Sequence, residues 1–199
     1  MGRKDSNIYQ FKIVLNRSKP PIWRRIQVPE TYSFYDLHVA IQSSFQWADY
    51  HLHEFEIFSP RLDRIVNIGM AGEDYGEEIL SEQTEKIKHY FSMEHQRSHY
   101  IYDFGDYWEH IITLEKILPR KKEETYPRCV KGKRACPPED SGGIWGYEEF
   151  LEAINDSNHE KHEAMKQWYG GEFDSAYFDK DDIIFADPKK HLQLRMHMC

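Results

Sequence analysis

Runs in which apolar and polar residues alternate recur along this chain, separated by turn residues, and they leave little freedom in how it folds. Successive side chains of a strand point to opposite faces, so alternation marks one face for a core and one for solvent. IYQFKIVL (8–15) and IWRRIQVP (22–29) both alternate and are rich in β-formers, with RSKPP between them, which predicts an antiparallel pair. HLHEFEIF (51–58) and RIVNIG (64–69) read as a second pair. HYIYDFGDYWEHIITLEKIL (99–118) reads as a hairpin around Phe104-Gly105-Asp106, with Gly105 supplying the positive φ of a tight turn.

Helical spacing appears between these runs. Ser33 followed by Asp36 is a capping-box pattern, and Phe34, Leu37, Ile41 and Phe45 fall on one helical face, so a helix spans 34 to about 46. TEKIKHYF predicts a short helix with Ile87, Tyr90 and Phe91 facing inward. GYEEFLEAI and NHEKHEAMKQWYGG predict two more, with Asn158 as N-cap of the second and Gly170 as its stop. Residues 70–81 and 118–146 read as long connections, and 172–199 has no clear pattern. The order ββαββ(α)ββ followed by helices predicts an α+β fold: a mostly antiparallel sheet with a C-terminal helical segment packed on it.

The formal net charge is −8, unevenly distributed. Residues 30–115 carry 5 basic and 17 acidic side chains, and 139–187 carry 3 and 14. An acidic body argues against broad, non-specific DNA binding, which depends on neutralising phosphate. Residues 116–134 carry 8 basic and 2 acidic side chains and are the place for an anionic partner to bind, although a solvated connecting loop is the plainer reading. No apolar run is long enough for a membrane span. MGRKDSN has no apolar leader, and three cysteines, Cys129, Cys136 and Cys199, point to reduced thiols in a cytoplasm.

Several residues could carry chemistry. In a strand over 51–58, His51 and His53 share a face with Phe55 and Ile57, and His110 lies with Trp108, Ile112 and Leu114. Two histidines at this spacing, with a third ligand from another strand, would suit zinc. The plainer reading is that protein hydrogen bonds or water satisfy their ring nitrogens, and no cofactor is expected. Asp103 and Asp106 flank the hairpin turn; with His110 they are the catalytic candidates, against the ordinary liking of Asp for turns. Cys129 and Cys136 form one loose pair where a zinc ribbon needs two close ones.

KPPIWRRIQVP, DLHVAIQSSFQW, HLHEFEI, YIYDFGDYWEHIITLEKI and CVKGKRACPPEDSGGIWGYEEFLEAI occur in the order found in the plasmid pRiA4b ORF-3-like family, which this chain resembles over about residues 8–185. The motif positions here include Trp23, Arg24, His38, Trp47, His51, His53, Asp103, Gly105, Asp106, Trp108, His110, Cys129, Pro137, Pro138, Glu139 and Asp140. From these, Arg24, Glu139 and Asp140 are expected to contact a ligand or partner, together with Lys131 and Arg134 of the basic segment. The resemblance implies a prokaryotic setting and mobile-element biology, and some members carry a resolvase label. That label finds no support in the residues. None of the eleven histidines begins an H-x-x-R box, and the helix pair at 146–169 carries six acidic and two basic residues, which phosphate would repel.

The expectation is thus a non-enzymatic binding or regulatory protein. The alternative is a metal-dependent enzyme using His51, His53 and His110 with Asp103 or Asp106. Residues 1–199 are expected to form one domain, because the helices at 146–169 are too short to build a core of their own. Denaturant unfolding followed by tryptophan fluorescence and by far-UV circular dichroism should then give one coincident transition, and two separated transitions would contradict it.

Overall fold

The computed structural model describes residues 7–70 and 79–198, for 195–198 the backbone only. Eight strands form a single sheet: β1 (Ile8–Leu15), β2 (Trp23–Pro29), β3 (His53–Ser59), β4 (Arg64–Gly69), β5 (Leu80–Ser81), β6 (Arg97–Tyr102), β7 (Trp108–Leu118) and β8 (Arg128–Lys133). Their order is β5-β4-β3-β6-β7-β1-β2-β8, and every pairing is antiparallel except β4 with β5. The helices are α1 (Phe34–Phe45), α2 (Gly143–Asn155), α3 (His162–Tyr169) and α4 (Pro188–Met198). This is the α+β plan that the order of elements predicts.

α1 begins where the sequence places it. The Ser33 hydroxyl accepts from the Asp36 amide at 3.1 Å, and the Asp36 carboxylate accepts from the Ser33 amide at 2.8 Å. A cap of this kind stabilises a helix by about 1 kcal/mol. Gln46 ends the helix in the left-handed region, φ 61°. Almost the whole of α1 is buried, which is more than its apolar stripe requires, and His38 and Gln42 are buried with Phe34, Leu37 and Ile41. The core lies between α1 and one face of the sheet: Phe55 and Ile57 of β3, Tyr100 of β6, Ile112 and Leu114 of β7, and Phe11 and Ile13 of β1 are all buried there. Phe34 packs edge-on to Phe55 with ring centroids 5.1 Å apart.

Five local expectations are corrected. β3 starts at His53, so His51 precedes the strand and does not share its inward face. The left-handed positions of the β6–β7 turn are Asp103 (φ 57°) and Tyr107 (φ 53°), not Gly105. A short-chain carboxylate tolerates that region by bonding locally, and Asp103 accepts from the Gly105 amide at 2.9 Å. The stretch 118–146 is not one loop, since Arg128–Lys133 pairs with β2 as an edge strand. The helix over 84–91 is a single 3₁₀ turn, Ile87–His89. Asn158 does not cap α3; Lys161 holds that position without a side-chain bond, while Gly170 ends the helix as expected. The loop reading of 70–81 falls mostly outside the described residues, and Leu80–Ser81 is strand.

Burial of imidazole has a cost that depends on pH. His38 and His110 are fully buried, and burial pushes both down from 6.5 to about 4. Above pH 6.5 both rings are neutral in the folded and unfolded chain alike. Below it the unfolded chain takes up protons that the folded chain refuses until about pH 4, so stability falls as pH falls through that window. Each histidine should remove up to about 2 kcal/mol between pH 6.5 and 5. Urea unfolding at pH 7, 6 and 5 should show this loss, and His110→Leu should flatten it by roughly half.

Candidate functional site

The α1–β3 loop carries two acid–imidazole clusters on its two sides. Asp49 stands in the left-handed region, φ 60°, which breaks the strand-like alternation of ADYHLH. Its carboxylate is buried, whereas His51 two residues later is about a third exposed.

The inner cluster joins α1, the loop, β3 and the residue after β5. His38 of α1 and His53 of β3 stack face to face, ring centroids 3.4 Å apart and planes within 2°. The His53 Nε2 lies 2.5 Å from a Glu82 carboxylate oxygen, and both side chains are buried. The backbone of Glu82 is pinned on both sides: its amide donates to the Gly69 carbonyl and its carbonyl accepts from the Tyr35 amide. His38 meets the Tyr100 hydroxyl through Nδ1 at 2.8 Å, and Gln42, one turn further along α1, donates to the same hydroxyl at 2.9 Å. His38 Nε2 approaches Asp49 Oδ1 to 3.0 Å without hydrogen-bond alignment. His53 Nδ1 and Gln42 Oε1 are buried with no hydrogen-bond partner. One donor atom from each of His38, Asp49 and His53 lies within 4.8 Å of the others, and the same holds for His51, Asp103 and Asp140 on the outer side.

Electrostatics favour the ligating form of His38. Burial, then the neighbouring His53 ring, hold its imidazole at about 4, against the opposing pull of Asp49, so the ring is neutral at pH 7. The same burial drives the Tyr100 phenol well above its ordinary range and keeps it protonated. A cavity of about 360 Å³ reaches Asp49 from outside and is lined by Gln42, Trp47, Asp182, Ile184 and His191 among others. A cavity of about 430 Å³ lies beyond Gln46 and Trp47, against Cys136 and Glu139, and does not touch the buried carboxylate.

The outer cluster gathers residues that the sequence singles out. His51 Nε2 lies 2.9 Å from Asp140 and 3.6 Å from Asp103. Glu139 accepts from the Tyr102 hydroxyl at 2.5 Å and from the Ala48 amide at 2.7 Å. Asp106 accepts from the Gly142 amide at 3.0 Å, where a side chain on Gly143 would meet the Asp106 carbonyl at 2.3 Å.

Other expected residues are spread through the fold. His110 sits in an aromatic pocket of Phe45, Trp47 and Tyr100, and its ring faces the backbone of Trp108 and Tyr100 without a well-aligned hydrogen bond. His51, His53 and His110 therefore turn to three separate surroundings and do not converge. Arg24 is fully buried and committed: it donates to the carbonyls of Trp23, Ser44 and Lys133 and to Cys136 Sγ, and packs between Phe45 and Phe178. Cys136 is pushed up to about 12 by burial, Cys129 is also raised, and neither joins a metal-ligand group among the described residues. Lys131 is exposed on β8, and Arg134 follows it in the left-handed region. Cys199 lies outside the described residues.

His38 stands among the motif residues without an assigned role, and Asp49 and Glu82 are not in that set at all. The one signal for them is the i, i+4 placement of His38 and Gln42 on a buried helix face. The meeting with Asp49 and Glu82 spans three separate elements.

Comparison with known proteins agrees with this fold. Residues 7–182 match the model of the family described as plasmid pRiA4b ORF-3-like protein. The chain is 34% identical over 173 residues to the uncharacterized protein y4hQ of Sinorhizobium fredii, covering 86% of each. It superposes with a TM-score of 0.86 on the crystal structure of a protein of unknown function, MM3350, from Methanosarcina mazei Go1, at 49% identity over 90% of this chain and 99% of that one. No helix among the described residues is long and apolar enough to cross a membrane.

The two clusters differ in what removing a carboxylate should do. Glu82→Ala leaves a buried imidazole nitrogen without its partner and opens a void beside it, and should cost about 2–4 kcal/mol. Glu139→Ala removes a half-exposed acceptor and should cost about 1–2 kcal/mol. Urea denaturation of the two variants at pH 7 measures both, and equal costs would contradict the ranking.

Proposed function

The chain belongs to the plasmid pRiA4b ORF-3-like family, and from the geometry just described we propose that it is a metal-binding protein whose His38, Asp49 and His53 take one divalent first-row transition ion, zinc being the simplest case. This keeps the expectation of a binding protein and gives it a ligand. It moves the metal from the exposed end of HLHEF to a buried set. The tie to mobile-element biology rests on the resemblance alone.

One observation carries the reading. Each of the two stacked imidazoles has one ring nitrogen held by an oxygen, Tyr100 for His38 and Glu82 for His53. The other nitrogen of each is buried without an aligned hydrogen bond, and the Asp49 carboxylate belongs to the same group. Metal-ligating histidines are held in this way, because an outer oxygen fixes the ring and its tautomer, and taking one ion would require the two parallel rings to turn toward a common point. In the metal-bound form the His38 proton sits on Nδ1 and is donated to Tyr100. A buried imidazole nitrogen without a partner costs about 1–3 kcal/mol, which an ion bound at His53 Nδ1 would offset. Two imidazoles and a carboxylate suit zinc and its neighbours and not calcium or magnesium, which prefer oxygen. Such a trio also leaves room for a further ligand on the cavity side.

Isothermal titration of untagged, chelator-treated protein with zinc at pH 7, checked by elemental analysis after dialysis, tests this. One zinc per chain is expected, with binding lost in His53→Ala and weakened at least about tenfold in the milder Asp49→Asn. No stoichiometric metal, or zinc binding that both substitutions leave unchanged, would sink the proposal.

A further inference from the structure

We infer that the face of the sheet turned away from α1 is a docking surface for single-stranded RNA. The inference is independent of the metal-binding reading and uses none of its residues.

Register builds the surface. Phe11 and Ile13 of β1 point into the core, so Lys12 and Val14 point to the opposite face. The pairings carry one row across five strands: Arg97 of β6 lies opposite Thr113 of β7, Thr113 opposite Lys12, Lys12 opposite Arg25 of β2, and Arg25 opposite Lys131 of β8. All but Thr113 are basic. The row spans about 19 Å, since neighbouring strands lie about 4.8 Å apart. The next row runs His99, Ile111, Val14, Trp23 and Lys133 through the same strands. Every residue of both rows is half-buried or exposed. Lys12 and Arg25 lie 5.4 and 5.2 Å from the Trp23 ring centroid, which interleaves cations with the aromatic ring. Arg25 is held by Glu115 at 2.6 and 2.7 Å, whereas Lys12, Arg97, Lys131 and Lys133 make no ion pair among the described residues. Acids close the surface on one side, with Glu56 of β3 opposite His99 and Glu109 of β7 bonded to its ring at 2.8 Å.

The net charge is −8, yet this face gathers cations without counter-ions, which calls for a partner with repeated negative charge. An acidic peptide answers the cation row alone. A single strand answers both rows: its phosphates meet the lysines and arginines, and its unpaired bases lie on Ile111, Val14 and Trp23, because bases pack on apolar and aromatic side chains and on arginine planes. A duplex keeps its bases stacked inside, and a face about 19 Å wide does not enter a major groove about 12 Å wide. Thr113 stands in the cation row between Arg97 and Lys12, with a hydroxyl that bonds to no described residue. The ribose 2′-OH both donates and accepts, so this hydroxyl selects RNA over DNA.

The test is fluorescence anisotropy of a labelled oligouridylate of about eight nucleotides, titrated with the chelator-treated full chain at about 50 and 200 mM salt. Binding should weaken roughly fiftyfold between the two salts, as four phosphate contacts to a single strand require. Replacing Lys12 and Lys131 together by Gln should weaken binding at least about tenfold at low salt and cut the salt effect to under about tenfold. Arg97→Gln with Lys133→Gln repeats the test at exposed positions. Oligodeoxyuridylate of equal length should bind at least about threefold more weakly than the RNA, a difference that Thr113→Val removes. No RNA binding at low salt overturns the inference, as does affinity that both pairs of substitutions leave unchanged. A glutamate octapeptide that binds as tightly as the RNA makes the surface a protein-docking one and overturns it too, and so does DNA that binds as tightly as RNA.

Discussion

A charged or strongly polar group taken out of water must find a partner inside, and the region around His38 and His53 is organised by that requirement. Two imidazoles and two carboxylates are buried between α1 and the sheet, where an unpaired ion would be costly. The compensation comes from separate elements: α1 brings His38 and Gln42, the loop after it brings Asp49, β3 brings His53, and the residue after β5 brings Glu82. None can shift far without stranding another. The left-handed backbone at Asp49 and the bonds that Glu82 makes to Gly69 and Tyr35 follow from the same need to aim a short side chain inward. The stacked rings also limit the charge the cluster can hold, because two protonated imidazoles 3.4 Å apart would repel, and burial already keeps His38 neutral.

Arg24 poses the same problem at the other end of α1. Its guanidinium is buried without a carboxylate among its hydrogen-bond partners, and three backbone carbonyls, the Cys136 sulfur and two aromatic faces take its donors and its charge. Those contacts join β2 to the end of α1, to the end of β8 and to the segment carrying Phe178. They lead the chain past Pro137, whose carbonyl accepts from the Trp47 indole, to Glu139 and Asp140, which close over Tyr102 and His51. The two clusters are therefore built on one scaffold. Trp47 stacks on Tyr102, which puts the outer cluster in contact with the loop that holds Asp49.

The sheet explains why this region meets the helices. β3, β6 and β7 lie side by side, and His53, Tyr100 and His110 point to the same covered face. His110 lies too deep among Phe45 and Trp47 to reach the cluster, and it serves as packing with a pH-dependent cost. The C-terminal segment then returns across α1, which brings His191 to Asp49 from a distance of 142 positions along the chain. Helices α2 and α3 pack on each other through Phe150 and Trp168, with Phe173 after α3 closing on Tyr147 and Phe150, away from these groups.

The sequence by itself determined the strands β1 to β4, β6 and β7, the start of α1 and the α+β class. Alternation, capping and turn chemistry are local signals, read within a few residues. It also marked His53 on an apolar face and Asp103 at a turn, and the family resemblance singled out Glu139 and Asp140. Only the tertiary structure decided which of them meet. β8 reads as loop because an exposed edge strand with Gly132 and three basic residues has no apolar alternation, and its partner β2 lies a hundred residues earlier. His51 and His53 look alike in the sequence, but the positive φ at Asp49 and the start of β3 at His53 send them to opposite sides. The joining of His38, Asp49, His53, Glu82 and His191 is a long-range event. No local pattern encodes it, because what selects it is the need to compensate buried polar groups once the sheet and α1 have come together.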